Sequence, residues 1–586
     1  MTERQESERQ PKYGSDLMAD AIEALGVKYI SLNPGATFRG LHDSLVNYLD
    51  NSVQMIECPH EKLAVGLAHG YTKACGEPMA VVLHNLVGLL HGAMGIYYAY
   101  SDRVPVYVFG GSGPMDHDRR RAYIDWVHSA NTQGGAVRDY TKWDYEPTSI
   151  ASVPPVITRA ARIAMTEPQG PVYVALDAAL QEDELPTDGP PIELMKFSMP
   201  SLIAPDPAAL RLAAEKLVAA ERPVFVTGFA GRDPKAFDQL VELTELLGAG
   251  MQDNFYRLNF PNQHPLAVFG TKSLERADCV VLLDMKDTEK ATTTVDSITR
   301  KTTSRIAADA TVIDIGFNDL GIGAWSDDYG APRNADVMIT ADTKLALPQL
   351  IDACRELIGS ETGVAPRNDD WRTEIAQLRS KTRAKWQEQI EESWDVQPMS
   401  ASRLASEVWE VVKDYDWVLT ANTAEEWALK TWNFDKAYRY PGRQLGTATQ
   451  IGMSLGVALA HKGTGRLVVD LQPDGDLMFD AGALWVASYY KLPMLVVMVN
   501  NRAYYNDWEH QERIAVDRGT DIEKAYIGME IDSPAPDFAT LAKSFSWYSE
   551  GPITDPNDLQ AAVRRAAEHV MTTGEPALVD AVIRRR

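Results

Sequence analysis

Short apolar runs alternate with longer segments of helical period along most of the chain. KYISLN, VQMIEC, MAVVLHN, VPVYVFGG and GPVYVALD are compact runs rich in β-branched and aromatic residues, the pattern of strands buried on both faces of a parallel sheet. Between them, LMADAIEALGV, EKLAVGLAHGYTKACG, LVGLLHGAMGIYYAY and PVITRAARIAMTEP read as helices, the second with small residues along one face. This alternation over residues 15–185 predicts a doubly wound α/β domain. A proline-rich segment, 186–207, reads as a linker. The alternation resumes over 208–358, with PVFVTG, CVVLLDM, TVIDIG and DVMITA as strands. No G-x-G-x-x-G stands at a strand–helix turn there, so no dinucleotide is assigned to this central domain. Residues 359–398 form a charged connector with one helix around Trp371–Trp386, and a third α/β domain occupies 399–586. The polar residues 1–14 read as a disordered tail. The fold class is therefore α/β, built from three doubly wound domains.

One stretch of the third domain carries chemistry. LVVDL predicts a strand, Gln472 to Asp476 a tight turn, Phe479 to Tyr490 a helix, and MLVVMV a second strand ending at Asn500-Asn501. A strand–helix–strand crossover makes the two strands parallel and opens both carboxyl ends on one edge. That edge is where open α/β sheets bind ligands. Asp474 and Asn501, 27 positions apart, would meet there. A carboxylate, an amide oxygen and a backbone carbonyl make an all-oxygen set suited to Mg²⁺, which completes its octahedron with phosphate oxygens and water.

Composition narrows the class. Hydrophobic residues make up 45 % and charged residues 24 % of 586 positions, as in soluble globular proteins. A net charge of −25 argues against nucleic acid or an anionic membrane as partner. No apolar run is long enough to span a bilayer, and the polar start has no signal core. Cys58, Cys75, Cys279 and Cys354 lack metal-ligand spacing and read as reduced thiols of a cytoplasmic protein.

CPHEKLAVGLAHGYTKACGEP, TKWDYEP, PQGPVYVALD and PDGD…NN together resemble thiamin-diphosphate-dependent enzymes of the benzoylformate decarboxylase and acetolactate synthase group. The resemblance spans nearly the whole chain and implies a pyrimidine-binding, a central and a diphosphate-binding domain. It departs at Pro473, where Gly is usual, and at Asp476, where Ser or Gly is commoner and which sets an extra negative charge where a diphosphate should lie. By resemblance, Asp474, Gly475, Asp476 and Asn501 would hold the cofactor, with Asp474, Asn501 and the carbonyl of Ala503 on Mg²⁺. Asn422 and Thr423 would contact diphosphate, and Ile451, in a Thr-Gln-Ile-Gly-Met turn, would bend the cofactor. Glu61 falls where the cofactor-activating glutamate lies, a positioned carboxyl group that moves a proton at the aminopyrimidine. His84, in Leu-His, resembles an active-site histidine of benzoylformate decarboxylase, and His128 falls near the thiazolium. Ala36 replaces a serine that contacts the substrate carboxylate in that decarboxylase.

The activity implied is cleavage or formation of a C–C bond next to a carbonyl, first as decarboxylation of a 2-oxo acid with carboligase potential. Lysis of a 2-hydroxy ketone or 2-hydroxyacyl thioester, or acetolactate-type synthesis, is the alternative within this chemistry. A non-catalytic cofactor-binding subunit is the alternative outside it. The resemblance further implies a homodimer as minimum and a homotetramer as the commoner assembly.

Overall fold

The computed structural model describes residues 9–121, 127–187, 192–321, 334–360, 368–421, 424–443 and 448–585. Three sheets lie along the chain, and every pairing within them is parallel. The first holds β1 (Tyr29–Leu32), β2 (Gln54–Glu57), β3 (Met79–Leu83), β4 (Val106–Ser112), β5 (Asp144–Tyr145) and β6 (Val172–Asp177), in the order β2-β1-β3-β4-β6-β5. The second holds β7 (Pro223–Thr227), β8 (Gly250–Asp253), β9 (Cys279–Leu283), β12 (Thr311–Gly316) and β13 (Val337–Thr340), in the order β13-β12-β9-β7-β8. The exposed pair β10 (Thr293–Val295) and β11 (Thr302–Ser304) forms a separate antiparallel ribbon. The third holds β14 (Trp417–Thr420), β15 (Leu467–Pro473), β16 (Met494–Asn500), β17 (Tyr548–Ile553) and β18 (Ala577–Val582), in the order β14-β15-β16-β18-β17.

Chain order reverses direction between β1 and β3 in the first sheet and between β7 and β9 in the second. Crossover loops leave those points on opposite faces, so a crevice opens beyond the carboxyl ends.

Not every strand of these sheets is legible in the sequence. GMQD (β8) and YSEGPI (β17) are short and half polar, and their pairing to long apolar neighbours is what makes them strands. The charged connector contains a long helix, Asp369–Glu392, seated by the buried Trp371 and Ile375. The Trp371 indole N–H donates to the Pro223 carbonyl at 3.2 Å. At the start of the chain, Arg9 pairs with Glu23 at 3.0 Å, Tyr13 bridges Glu184, and a helix begins at Gly14.

The outer domains are joined by two helices, α1 (Glu61–Cys75) and α2 (Gln450–His461), whose small-residue faces meet. A Cβ at Gly66 would lie 3.3 Å from the Gly452 Cα, and one at Gly70 would collide with the Met453 carbonyl. Removing those methyl groups is what lets the two backbones approach. All three domains meet at Asp102. It accepts Lys73 Nζ at 2.6 Å and His69 Nε2 at 2.7 Å from the first domain, and Arg257 Nη1 at 2.7 Å from the central one. Lys73 also donates to the Arg443 carbonyl of the third, at 3.1 Å. Burial alone would raise the Asp102 carboxyl, but Arg257, Lys73 and His69 outweigh it and hold it well below the usual range.

Candidate active site

The carboxyl edge of the first sheet gathers an acid and several imidazoles. Glu61 opens α1, whose start is capped by His60: the Lys62 N–H donates to His60 Nδ1 at 3.1 Å. An acid here is favoured by the exposed N–H groups of a helix start. Although Glu61 is only 6 % exposed, Oε2 meets His91 Nδ1 at 3.1 Å. His91 stands on α3 (Asn85–Ser101), which follows β3, and its ring stacks on His60 with centroids 5.1 Å apart.

His84 ends β3 at the strand-order reversal. Thr37, in the turn after β1, donates both its N–H (3.5 Å) and its hydroxyl (3.0 Å) to His84 Nδ1, leaving the ring proton on Nε2. The Asn85 N–H donates in turn to the Thr37 hydroxyl at 3.2 Å. The His128 ring stands edge-on to His84 at 5.7 Å, and its Nδ1 is buried without a hydrogen-bond partner among the described residues. A Cβ at Gly88 would lie 3.2 Å from Glu61 Oε1 and 3.4 Å from the His84 Cβ. Glu61 and His84 thus converge on one glycine, and the three expected residues Glu61, His84 and His128 share one edge.

Ala36 offers no polar group, but its neighbour Thr37 holds His84. That role was missed because the adjacent alanine drew the comparison; the signal was a hydroxyl in a turn after a strand. His91 was missed because it lies in an otherwise apolar helix, 30 positions after Glu61.

The second half of the site lies in the third domain. The expected tight turn at 472–476 is corrected: β15 continues through Pro473, and a short helix, α4 (Asp474–Phe479), begins at Asp474. Pro473 has no N–H to give a ladder, so it can end a strand and hand over directly to a helix. The expected helix 479–490 is broken into α4 and α5 (Ala483–Tyr489). Ile451, expected in a turn, lies in the first turn of α2, fully buried in the core shared by the outer domains.

Asp474 is 2 % exposed. Its carboxylate accepts the Gly475 N–H at 2.8 Å and the Arg502 N–H at 2.6 Å. Burial still pushes its carboxyl up to about 6, against those backbone donors. No lysine or arginine pairs with it among the described residues. Asn501 Oδ1 accepts the Ala503 N–H at 2.9 Å, and the Tyr504 ring packs where a side chain at Gly475 would stand. Asp474, Gly475, Asp476, Asn501 and Ala503 all line one cleft of about 770 Å³, with Tyr504 and Asp507 at its side. A buried carboxylate lacking a cation, beside an amide and a carbonyl oxygen, fits a hard divalent ion, and the cleft is large enough for a phosphorylated cofactor.

Asp476 turns its charge back into the protein. It accepts the N–H groups of Ala448 and Gln450 at the start of α2 and the Gln472 amide at 3.2 Å. Asn422 and Thr423 lie outside the described residues. Neither Glu61, His84 nor His128 lines the cleft of Asp474 within one chain.

Comparison with known proteins bears on both halves. Residues 12–132 match the family model "Thiamine pyrophosphate enzyme, N-terminal TPP binding domain", and residues 423–581 match the corresponding C-terminal TPP binding domain. A probable acetolactate synthase large subunit of Methanocaldococcus jannaschii is 24 % identical, over 97 % of this chain and 92 % of that protein. The acetolactate synthase isozyme 3 large subunit of Escherichia coli is 24 % identical over 95 % and 92 %. Among solved structures, a benzoylformate decarboxylase from Polynucleobacter necessarius superposes with TM-score 0.74 at 17 % identity, covering 98 % of this chain and 99 % of that one. A thiamine diphosphate-dependent 4-hydroxybenzoylformate decarboxylase of Rhodococcus jostii RHA1 does so with TM-score 0.74 at 19 % identity and the same coverage.

Proposed function

We propose, on the premise that the chain belongs to the thiamine pyrophosphate enzymes of the decarboxylase and acetolactate synthase family, that it decarboxylates a 2-oxo acid and can ligate the product to an aldehyde. The observation that carries this reading is the convergence of Glu61, His84 and His128 on one sheet edge. Thiamin diphosphate, when bound, supplies a thiazolium carbon that adds to a carbonyl and accepts the electron pair released as the neighbouring bond breaks.

The chain's own residues do the rest. Asp474, Asn501 and the Ala503 carbonyl would hold Mg²⁺, and the ion's charge would relieve the buried Asp474 carboxylate. Gly475 leaves room for the Tyr504 ring at the start of α4, and Ile451 packs in the core shared by the outer domains. Asn422 and Thr423 are proposed diphosphate contacts. Asp476 serves by holding α2 in register, with its carboxylate on the Ala448 and Gln450 N–H groups. Glu61 would exchange a proton with the aminopyrimidine when the cofactor is bound, the role for which a buried, positioned acid is suited. His84, oriented by Thr37, presents Nε2–H as a donor, and the unpartnered Nδ1 of His128 offers a second polar contact. Together they would receive the substrate carboxylate that Ala36 cannot bind.

Because the Asp474 cleft does not include Glu61 in one chain, the reading calls for a second copy to complete the site. Exposed Leu90, Met94 and Phe479, near the two halves, suit such a contact. The acetolactate synthase names of the full-length relatives favour a second reading, in which the decarboxylated fragment is transferred to another 2-oxo acid. Carbon dioxide release across a panel of 2-oxo acids, run beside aldehyde release from acyloins, tests both. Absence of carbon dioxide from every acid would sink them.

A further inference from the structure

Among the described residues Glu61 has one hydrogen-bond partner, and that partner reaches solvent. The Glu61 side chain is 7 % exposed and the His91 side chain 53 %, with Oε2 and Nδ1 3.1 Å apart. On its other side Glu61 faces the backbone at Gly88. We propose that His91 is a proton relay between bulk water and Glu61, a positioning residue that acts through the acid and not on substrate. The inference rests on the reading of Glu61 as the acid that moves a proton at the cofactor.

Three features favour a relay. The ring of His91 is held in place by stacking on His60, at an interplanar angle of 26°. His60 accepts the Lys62 N–H at Nδ1, so its own ring proton lies on Nε2. Lys62, next to Glu61 in the chain, is paired with Asp480 at 2.8 Å. The same three side chains place ligand atoms within 4.8 Å of one another, as a metal site would. A protonated Nε2 on His60 makes that residue a donor and not a ligand, so proton traffic is the better use of the cluster. The balance is simple: Nδ1–H passes its proton to Oε2 while Nε2 takes one from water. The inward step leaves hydroxide in bulk water and the ring as its Nε2–H tautomer; the reverse sequence carries one proton outward and restores Nδ1–H.

The test needs no substrate. Holoenzyme carrying thiamin diphosphate and Mg²⁺ is transferred to heavy water, and loss of the thiazolium C2 proton is followed by acid quench and NMR. His91→Ala and His91→Asn should each slow exchange on the order of 10²-fold while cofactor affinity, read by tryptophan fluorescence, stays unchanged. Added imidazole should restore the rate of His91→Ala. If His91→Asn exchanges like wild type, the residue only positions Glu61 by a hydrogen bond and the relay is wrong. If neither variant is slowed while Glu61→Gln is, the relay fails and the reading of Glu61 stands. If Glu61→Gln exchanges normally, both fall together. A readout without cofactor uses ¹⁵N-imidazole NMR: the His91 Nδ1–H signal should be protected in the apo protein and lose that protection in Glu61→Gln. An unprotected signal in wild type would also overturn the relay.

Discussion

The first and central sheets wind in the same order, β2-β1-β3-β4-β6 and β8-β7-β9-β12-β13, yet their equivalent crevices hold opposite arrangements. At the first, Thr37 after β1 meets His84 after β3, and beside them stand Glu61, bonded to His91, and His128, whose buried Nδ1 has no partner among the described residues. At the second, Asp284 follows β9 and is fully buried. One carboxylate oxygen accepts Arg103 Nη1 at 2.7 Å and the other Arg232 Nη2 at 2.8 Å, with Arg232 also paired to Glu167. The central crevice is plugged by ion pairs, two of which bring a partner from the first domain, Arg103 and Glu167. A strand-order reversal supplies a place for a ligand; whether a ligand can use it depends on whether the charged groups there already satisfy one another. The third domain supports this view, because its buried strand-end acid, Asp474, pairs with no lysine or arginine among the described residues.

The largest test of that contrast is at the open edge. Glu61→Gln should lower turnover by roughly 10²–10⁴-fold with cofactor still bound; unchanged turnover would remove Glu61 from the site. At the plugged edge, Asp284→Asn should leave the buried Arg103 guanidinium without its counter-charge, while Arg232 keeps Glu167, and cost about 3–5 kcal/mol. A shift in the denaturation midpoint measures it, and an unshifted midpoint would show the pairs to be incidental. Gly70→Ala should then cost about 1–3 kcal/mol by forcing α1 and α2 apart, seen as a lower thermal midpoint. Asp476→Ala should cost about 1 kcal/mol, as loss of a helix cap does; a much larger loss, confined to cofactor affinity, would give its charge a direct role in the cleft.

The junction of the domains makes a pH prediction. Asp102 is held below its ordinary value of 3.8 in the folded protein, so the unfolded chain binds its proton first as pH falls. The stability it contributes is present above 3.8 and is lost as pH drops further, through the folded value. Asp102→Asn should therefore flatten the acid limb of a stability–pH curve below that point.

What the sequence by itself determined was the three-domain alternation, the Asp474–Asn501 crossover and the small-residue faces of α1 and α2. Each is local: a parallel strand buried on both faces must be a continuous apolar run, and a close helix contact needs small residues at helical spacing. Two short strands escaped because their own residues carry little strand signal and their neighbours decide them. Only the tertiary structure decided that Thr37 holds His84, that His91 reaches Glu61, and that Asp476 turns to the start of α2. It also decided that Asp284 is neutralised while Asp474 is not. These outcomes depend on which side chains arrive from distant elements. The energy of a buried charge is set by those arrivals and not by its neighbours in the chain.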